Sequence, residues 1–313
     1  MFVRLLLRII PKLAQGLAKL NSVNEFDPDY GYQVKETLKG WYTAQTDLIK
    51  SLFDFENDPM DRVSKLAKEL GLSACLHLDT EFMNNLLKTD SLAHSDTHVF
   101  NILVEKKPDV STLEHFGPRG SFALCDWEMA MACSLGRDIG LFYPFPLACS
   151  ITHAINGNKQ FSLDILNCLG LLWSEYASAL SKTGNKSEED LKNAYHTVMG
   201  QAGSFLFSVY YHRAIQMEFL PLEGNQLMTA RESLGYLGLH CLNIGFGREY
   251  EKCNLDELRS KFTTIVYKEI ERCTPVRPSR QFMRSSMLRE SGRRVSDAGL
   301  YASIISNLDV EGN

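Results

Sequence analysis

Apolar residues recur at helical spacing along most of this chain. Val34, Leu38, Trp41, Leu48, Ile49 and Leu52 predict a helix over 33–53. Val63, Leu66, Ala67 and Leu70 predict a second over 60–71, with Gly71 at its end. Phe82, Leu86 and Leu87 mark a third over 80–89, with Asp79 as its N-cap. The pattern then changes. Residues 101–105 and 121–126 are short, apolar and β-like, and the polar stretch between them carries Pro108, Gly117 and Pro118, which together read as a β-hairpin with a long loop. Helical spacing resumes over 141–155, 160–182, 188–218, 226–246 and 255–272. Ser187 with Asp190, and Asn254 with Glu257, have the spacing of capping boxes. The fold class expected is mainly α, of the α+β kind, with a small hairpin in the middle, and no internal repeat is visible.

Composition narrows the setting. The 313 residues are 44% hydrophobic, enough for a sizeable core. A formal charge of −5 gives no global reason to bind nucleic acid or an anionic membrane. Eight cysteines without a Cys-x-x-Cys pair suit a reducing, cytoplasmic setting. No apolar run approaches the roughly 20 residues that span a bilayer.

The two ends differ from the middle. Residues 1–24 carry Arg4, Arg8, Lys12 and Lys19 and no acid. Leu6, Ile9, Ile10, Leu13 and Leu17 near helical spacing make residues 1–30 an amphipathic segment. An organelle transit peptide is the alternative, disfavoured by few serines and by Pro11. Residues 31–275 form the main domain. Residues 276–313 are a basic, Ser-rich tail expected to be flexible, in which Arg293-Arg294-Val295-Ser296 would suit a basophilic protein kinase as a substrate.

The chemistry concentrates around the hairpin. His94-Ser95-Asp96-Thr97-His98-Val99-Phe100-Asn101 precedes its first strand, and Asp126-Trp127-Glu128 follows its second, so a hairpin brings the two segments together. Phosphoryl transfer needs an acceptor near the attacking hydroxyl and cations on the phosphates, and little covalent work from the protein. Asp96 could take the hydroxyl proton, while Asn101 and Asp126 offer hard oxygen ligands to Mg²⁺. His94 and His98 read as scaffold residues.

The first segment resembles the His-Gly-Asp-x-His-x-x-Asn loop of the aminoglycoside phosphotransferase and choline kinase superfamily. Cys125-Asp126-Trp127-Glu128, with Gly136-Arg137-Asp138-Ile139-Gly140 behind it, resembles that superfamily's Asp-x-Glu segment and following Asp-Ile-Gly. Within it the nearest likeness is to methylthioribose kinases. It covers about 80–155 well and the helical remainder to about 272 loosely. The resemblance implies a protein-kinase-like C-terminal lobe and ATP-dependent transfer to a hydroxyl of a small molecule, methylthioribose or a related sugar or amino alcohol. By position it makes Asp96 the catalytic aspartate, Asn101 and Asp126 ligands of the Mg²⁺-nucleotide, Glu128 a further acid at the metal, and Asp138 a brace for the loop.

The chain departs from the family in three places. Ser95 replaces a glycine, which needs a backbone without positive φ. Leu234-Gly235 stands where methylthioribose kinases carry a substrate-binding Arg pair, which argues against that sugar. No Gly-rich loop or strand lysine precedes residue 92, since Val34-Lys35 lies in a helical pattern, so the N-terminal β lobe is expected to be missing, or supplied separately or by a dimer partner. The competing expectation is therefore a non-catalytic, kinase-like binding or regulatory protein. An acceptor pocket is expected among the late helices, where Trp173, Tyr210, Tyr211, His212 and Glu218 are available.

Overall fold

Helical periodicity decides most of the architecture. The computed structural model describes residues 2–54, 62–70, 78–104 and 122–275, and within them the protein is mostly helical with four short strands. The basic tail, the long hairpin loop, Gly71 and Cys75 lie outside the described residues.

Helix α1 (Phe2–Asn21) buries Ile9, Ile10, Leu13, Ala14 and Leu17 along α7 (Lys159–Thr183). Pro11 stays inside α1. A proline in a helix costs about 3 kcal/mol, whereas each large apolar side chain buried returns roughly 1.5–3 kcal/mol, so packing outweighs the break. Next come α2 (Tyr32–Asp54), α3 (Arg62–Glu69) and α4 (Leu78–Leu87), the last beginning one residue before Asp79, which therefore lies in the first turn instead of capping it.

The strands form two antiparallel ribbons, one nested behind the other. β1 (Ser91–Ala93) pairs with β4 (Met131–Cys133), with Leu92 opposite Ala132. β2 (Ile102–Val104) pairs with β3 (Phe122–Leu124), with Leu103 opposite Ala123, which is the hairpin expected from the sequence. The outer pair was not legible, because three-residue strands are too short to show a period.

The helical body follows: α5 (Arg137–Phe142), α6 (Pro144–Ile155), α7, α8 (Glu188–Phe205), α9 (Gly224–Phe246) and α10 (Leu255–Cys273). Pro144 at the first position of α6 separates it from α5, so the helix expected over 141–155 starts late. Gly224, expected in the linker, opens α9. Both capping boxes form, Ser187 with Asp190 and Asn254 with Glu257. The helix expected over 188–218 ends at Phe205 and continues as a π-helical turn, Leu206–His212, then a 3-10 turn, Ile215–Phe219.

Helix α9 is buried on more than one side. Leu237 and Ile244 join the main core with α1 and α6–α10, while Leu239 and Leu242 join a second core with Leu38, Val63 and Leu66 of α2 and α3. A helix apolar around its circumference belongs at the centre. Among the described residues no helix is long and apolar enough to cross a membrane.

Candidate active site

The nested ribbons carry two connections, 94–101 between β1 and β2 and 125–130 between β3 and β4. The backbones of these connections are joined directly. The Cys125 N–H donates to the Asn101 carbonyl at 3.0 Å, and His94 Nε2 lies 2.8 Å from the Cys125 carbonyl oxygen. His94 is fully buried, its Nδ1 accepts from the Asp96 N–H at 3.3 Å, and its ring sits edge-on to Trp127 with centroids 4.6 Å apart. With Nδ1 accepting, Nε2 donates to the Cys125 carbonyl, so both ring nitrogens are engaged with backbone, a scaffold role.

Asp138 is the pivot of the site. It is fully buried in the first turn of α5. Its Oδ1 accepts from the Ser95 N–H and the Thr97 hydroxyl, both at 2.8 Å; its Oδ2 accepts from the His94 N–H and Asn21 Nδ2, both at 3.2 Å. One carboxylate thus fixes three loop positions, 94, 95 and 97, that flank Asp96. Helix α5 is in turn seated by two glycines. Gly136 has φ 93°, and a Cβ there would lie 2.4 Å from the Ala194 carbonyl of α8. A Cβ on Gly140 would lie 2.7 Å from Gln201 Cβ. Both positions need the missing side chain for α5 to approach α8. Between them Arg137 is buried and donates to Gln201 Oε1 at 3.3 Å and to the Tyr42 hydroxyl, tying α2 and α8 to the same turn.

Held this way, Asp96 is presented with 37% of its side chain exposed, and His98 Nε2 stands 3.5 Å from its Oδ2. Asn101, buried at the end of a 3-10 turn just before β2, donates from Nδ2 to Asp96 Oδ2 at 2.9 Å and to the Asp96 carbonyl at 3.0 Å. Partial burial alone would raise the Asp96 carboxyl, but the hydrogen bonds and charge of His98, with help from Asn101 and His94, outweigh it and hold the group below its ordinary value. Asp96 is therefore an ionised acceptor at neutral pH. His98 Nδ1 accepts from the Phe100 N–H at 3.2 Å, which turns Nε2 toward Asp96.

The backbone is strained at two places. Ser95 has φ 65°, so the serine at the usual glycine position does adopt the left-handed conformation, contrary to the condition set above. Its N–H bond to Asp138, with the bonds of His94 and Thr97 on either side, over-determines that geometry. Asp126 has φ 63° and ψ 67° and is exposed, as is Glu128 in the following 3-10 turn. Cys133 lies under Ser95, and burial pushes its thiol up to about 12, so it is unreactive.

The donors expected at a cation are placed unequally. Asn101 commits its amide nitrogen to Asp96, and among the described residues its Oδ1 has no hydrogen-bond partner. No hydrogen bond or ion pair joins Asp126 or Glu128 to Asp96 or Asn101 among the described residues, and no group of three or more His, Cys, Asp or Glu side chains there could hold a metal by itself.

Of the late-helix residues, Trp173 and Tyr210 are buried. The π-helical turn brings Tyr210 to Phe145, 6.3 Å between centroids, and Phe145 to Phe100 and His98 at 6.2 and 5.9 Å; Phe219 lies 6.0 Å from Phe100. Tyr211 packs on Gly235, and His212 and Glu218 are exposed. Leu234 is fully buried.

Asn21 and Tyr176 were missed from the sequence. Tyr176 donates its hydroxyl to Asn21 Oδ1 at 2.6 Å, and Asn21 Nδ2 also reaches the Leu92 carbonyl at 2.8 Å. Nothing at a separation of 71 to 155 residues signals such a link. No family model matches the chain, and no curated protein matches it.

Proposed function

We propose that the chain is a protein-kinase-like phosphotransferase lobe that moves the γ-phosphate of ATP to a hydroxyl of a small molecule. The observation that carries the reading is the buried Asp138 carboxylate holding His94, Ser95 and Thr97, so that Asp96 emerges ionised beside Asn101 at the junction of the two ribbons. An ionised carboxylate orients an attacking hydroxyl and takes its proton late in a loose transition state.

The donor set fits Mg²⁺: Asn101 Oδ1 and the exposed Asp126 and Glu128 carboxylates are hard oxygens. With no protein-only cage among the described residues, the cation would be held jointly with phosphates and water. Bound there, magnesium would neutralise charge on the β and γ phosphates. The half-buried rings of Phe100, beside His98, and of Phe219, 6.0 Å from Phe100, support an acceptor with an apolar part. Leu234 and Gly235, packed in α9, offer no charge to a phosphorylated or polyhydroxylated acceptor.

A second reading, a kinase-like binding or regulatory protein without turnover, is favoured by one observation. Every described element before Ser91 is a helix, so those residues supply no hairpin over a nucleotide.

The test is ADP release from Mg-ATP with methylthioribose, other sugars and amino alcohols as acceptors, beside calorimetric titration of Mg-ATP. Turnover that falls roughly 10³-fold in Asp96→Asn is the expected result. Turnover indifferent to Asp96→Asn sinks the assignment, and absence of both turnover and Mg-ATP binding selects the second reading.

A further inference from the structure

A second charged site lies where α3, α9 and α10 meet, independent of the phosphotransfer reading and sharing no residue with the loops that carry Asp96 and Asp126. Its inner part is a buried acid: Glu269 keeps 1% of its side chain exposed. Its Oε2 accepts from Arg62 Nη2 at 2.6 Å; its Oε1 accepts from Arg62 Nη1 and Arg272 Nη2, both at 2.7 Å, and from Arg272 Nε at 3.0 Å. One buried carboxylate therefore holds two guanidiniums side by side. Each is fixed by a further contact. The Arg62 guanidinium lies over the Tyr236 ring of α9, 3.5 Å from its centroid, and Arg272 Nη2 also donates to Ser233 Oγ at 2.7 Å. Both side chains have lost rotamer freedom before any ligand arrives, which removes one cost of binding.

Pairing with Glu269 does not use up the cations. Of the five N–H donors on a guanidinium, Arg62 commits two and Arg272 three, and among the described residues the others have no hydrogen-bond partner. Arg62 and Arg272 keep 28% and 36% of their side chains exposed, so the donors turned away from Glu269 are within reach of solvent.

Glu232 of α9 marks the outer position. Its Oε1 stands 3.7 Å from Arg62 Nη1 and 3.8 Å from Arg272 Nη2, shared by the two cations and beyond hydrogen-bond reach of either. The side chain is 38% exposed, and an ion pair of that length and exposure contributes little. Arg62 is also the first residue of α3, where the N–H ends of the helix add positive potential and no acid stands in the first turn. This position suits an oxygen-rich anion carrying more charge than one carboxylate.

We propose that Arg62 and Arg272 bind a phosphate monoester dianion, which takes the place of the Glu232 carboxylate while Glu269 holds the clamp from the buried side. With Glu232 swung aside, two cations face one buried anion, and the dianion meets the surplus. Forked guanidiniums match phosphate oxygens pairwise.

Calorimetric titration of the full 313-residue chain with inorganic phosphate tests it, at constant ionic strength and in EDTA, which keeps magnesium-dependent binding near Asp96 out of the signal. Expected is saturable binding at or below about 1 mM. Glu232→Gln removes the competing carboxylate and leaves the buried cluster intact, so it should tighten phosphate binding about tenfold with little change in thermal midpoint. Arg272→Lys keeps the charge but loses the fork, and should weaken binding at least about tenfold. The peptide Arg-Arg-Val-phosphoserine, with the sequence of residues 293–296, separates the sources of the group. Tighter binding than inorganic phosphate assigns the site to a phosphorylated polypeptide, and equal or weaker binding assigns it to a small phosphate ester. No saturable binding of either ligand at or below about 1 mM overturns the proposal. So does an affinity that Glu232→Gln lowers or leaves unchanged, or that Arg272→Lys leaves unchanged.

Discussion

Between Ser91 and Asp138 the chain buries polar groups and holds Ser95 and Asp126 at positive φ, whereas α7 and α10 bury leucine, isoleucine and aromatic side chains in regular helices. The first region is positioned by directional bonds, four of them ending on one carboxylate. The second is positioned by area and shape. Directional bonds fix where Asp96 points, which apolar packing alone cannot do. They also make the site depend on single atoms, while the body spreads its stability over many contacts.

Replacing Asp138 by Ala should break this contrast most sharply. It leaves the Ser95 and His94 N–H groups and the Thr97 hydroxyl without their acceptor in a buried setting, takes one of two acceptors from Asn21 Nδ2, and should destabilise by about 4 kcal/mol. Chemical denaturation reads the loss, and a change under about 1 kcal/mol would show that the loop does not need its brace. Leu237→Ala in the centre of α9 should cost about 3 kcal/mol by transfer and cavity formation. Its turnover per folded molecule should match the unmodified chain, which Asp138→Ala should not.

The helical body does contain one directional cluster, and it has a pH signature. Glu269 is buried with its carboxylate on Arg62 at 2.7 and 2.6 Å and on Arg272 at 2.7 Å, joining α3 to α10. Burial would raise its carboxyl, yet the two guanidiniums hold it below its ordinary 4.5. A folded-state pKa below the unfolded one means this stabilisation is fully present above 4.5 and fades as pH falls through the lower folded value. Urea midpoints should therefore fall more steeply below about pH 4.5 in the unmodified chain than in Glu269→Gln. Equal slopes would remove Glu269 from the acid limb.

The smallest effect is at Ser95. A left-handed non-glycine residue costs about 1–2 kcal/mol, and glycine's extra unfolded-state freedom costs about 0.5–1 kcal/mol. Ser95→Gly should accordingly stabilise by about 0.5 kcal/mol, seen as a slightly higher thermal midpoint. A lower midpoint would mean that the Ser95 hydroxyl beside Cys133 matters more than the backbone strain.

Local pattern explains why so much of the body was legible. Amphipathic spacing and the two capping boxes lie within a few residues of one another, so α2, α7, α9 and α10 could be read close to their observed ends. The hairpin of β2 and β3 was legible for the same reason. The β1–β4 pair, the π-helical turn at Leu206–His212 and the link from Asn21 to Asp138 were not, because each depends on a partner that only the folded chain supplies.

By itself, then, the sequence determined the helical periods, the caps, the order of the elements and which acids stand near the hairpin, since all of these are set by neighbours along the chain. The tertiary structure decided that Pro11 stays in a helix, that Ser95 takes a glycine's conformation and that Asp138 reaches three loop positions and Asn21 at once. The reason is energetic: a strained residue or a mid-helix proline persists only where distant packing and buried hydrogen bonds outweigh its local cost.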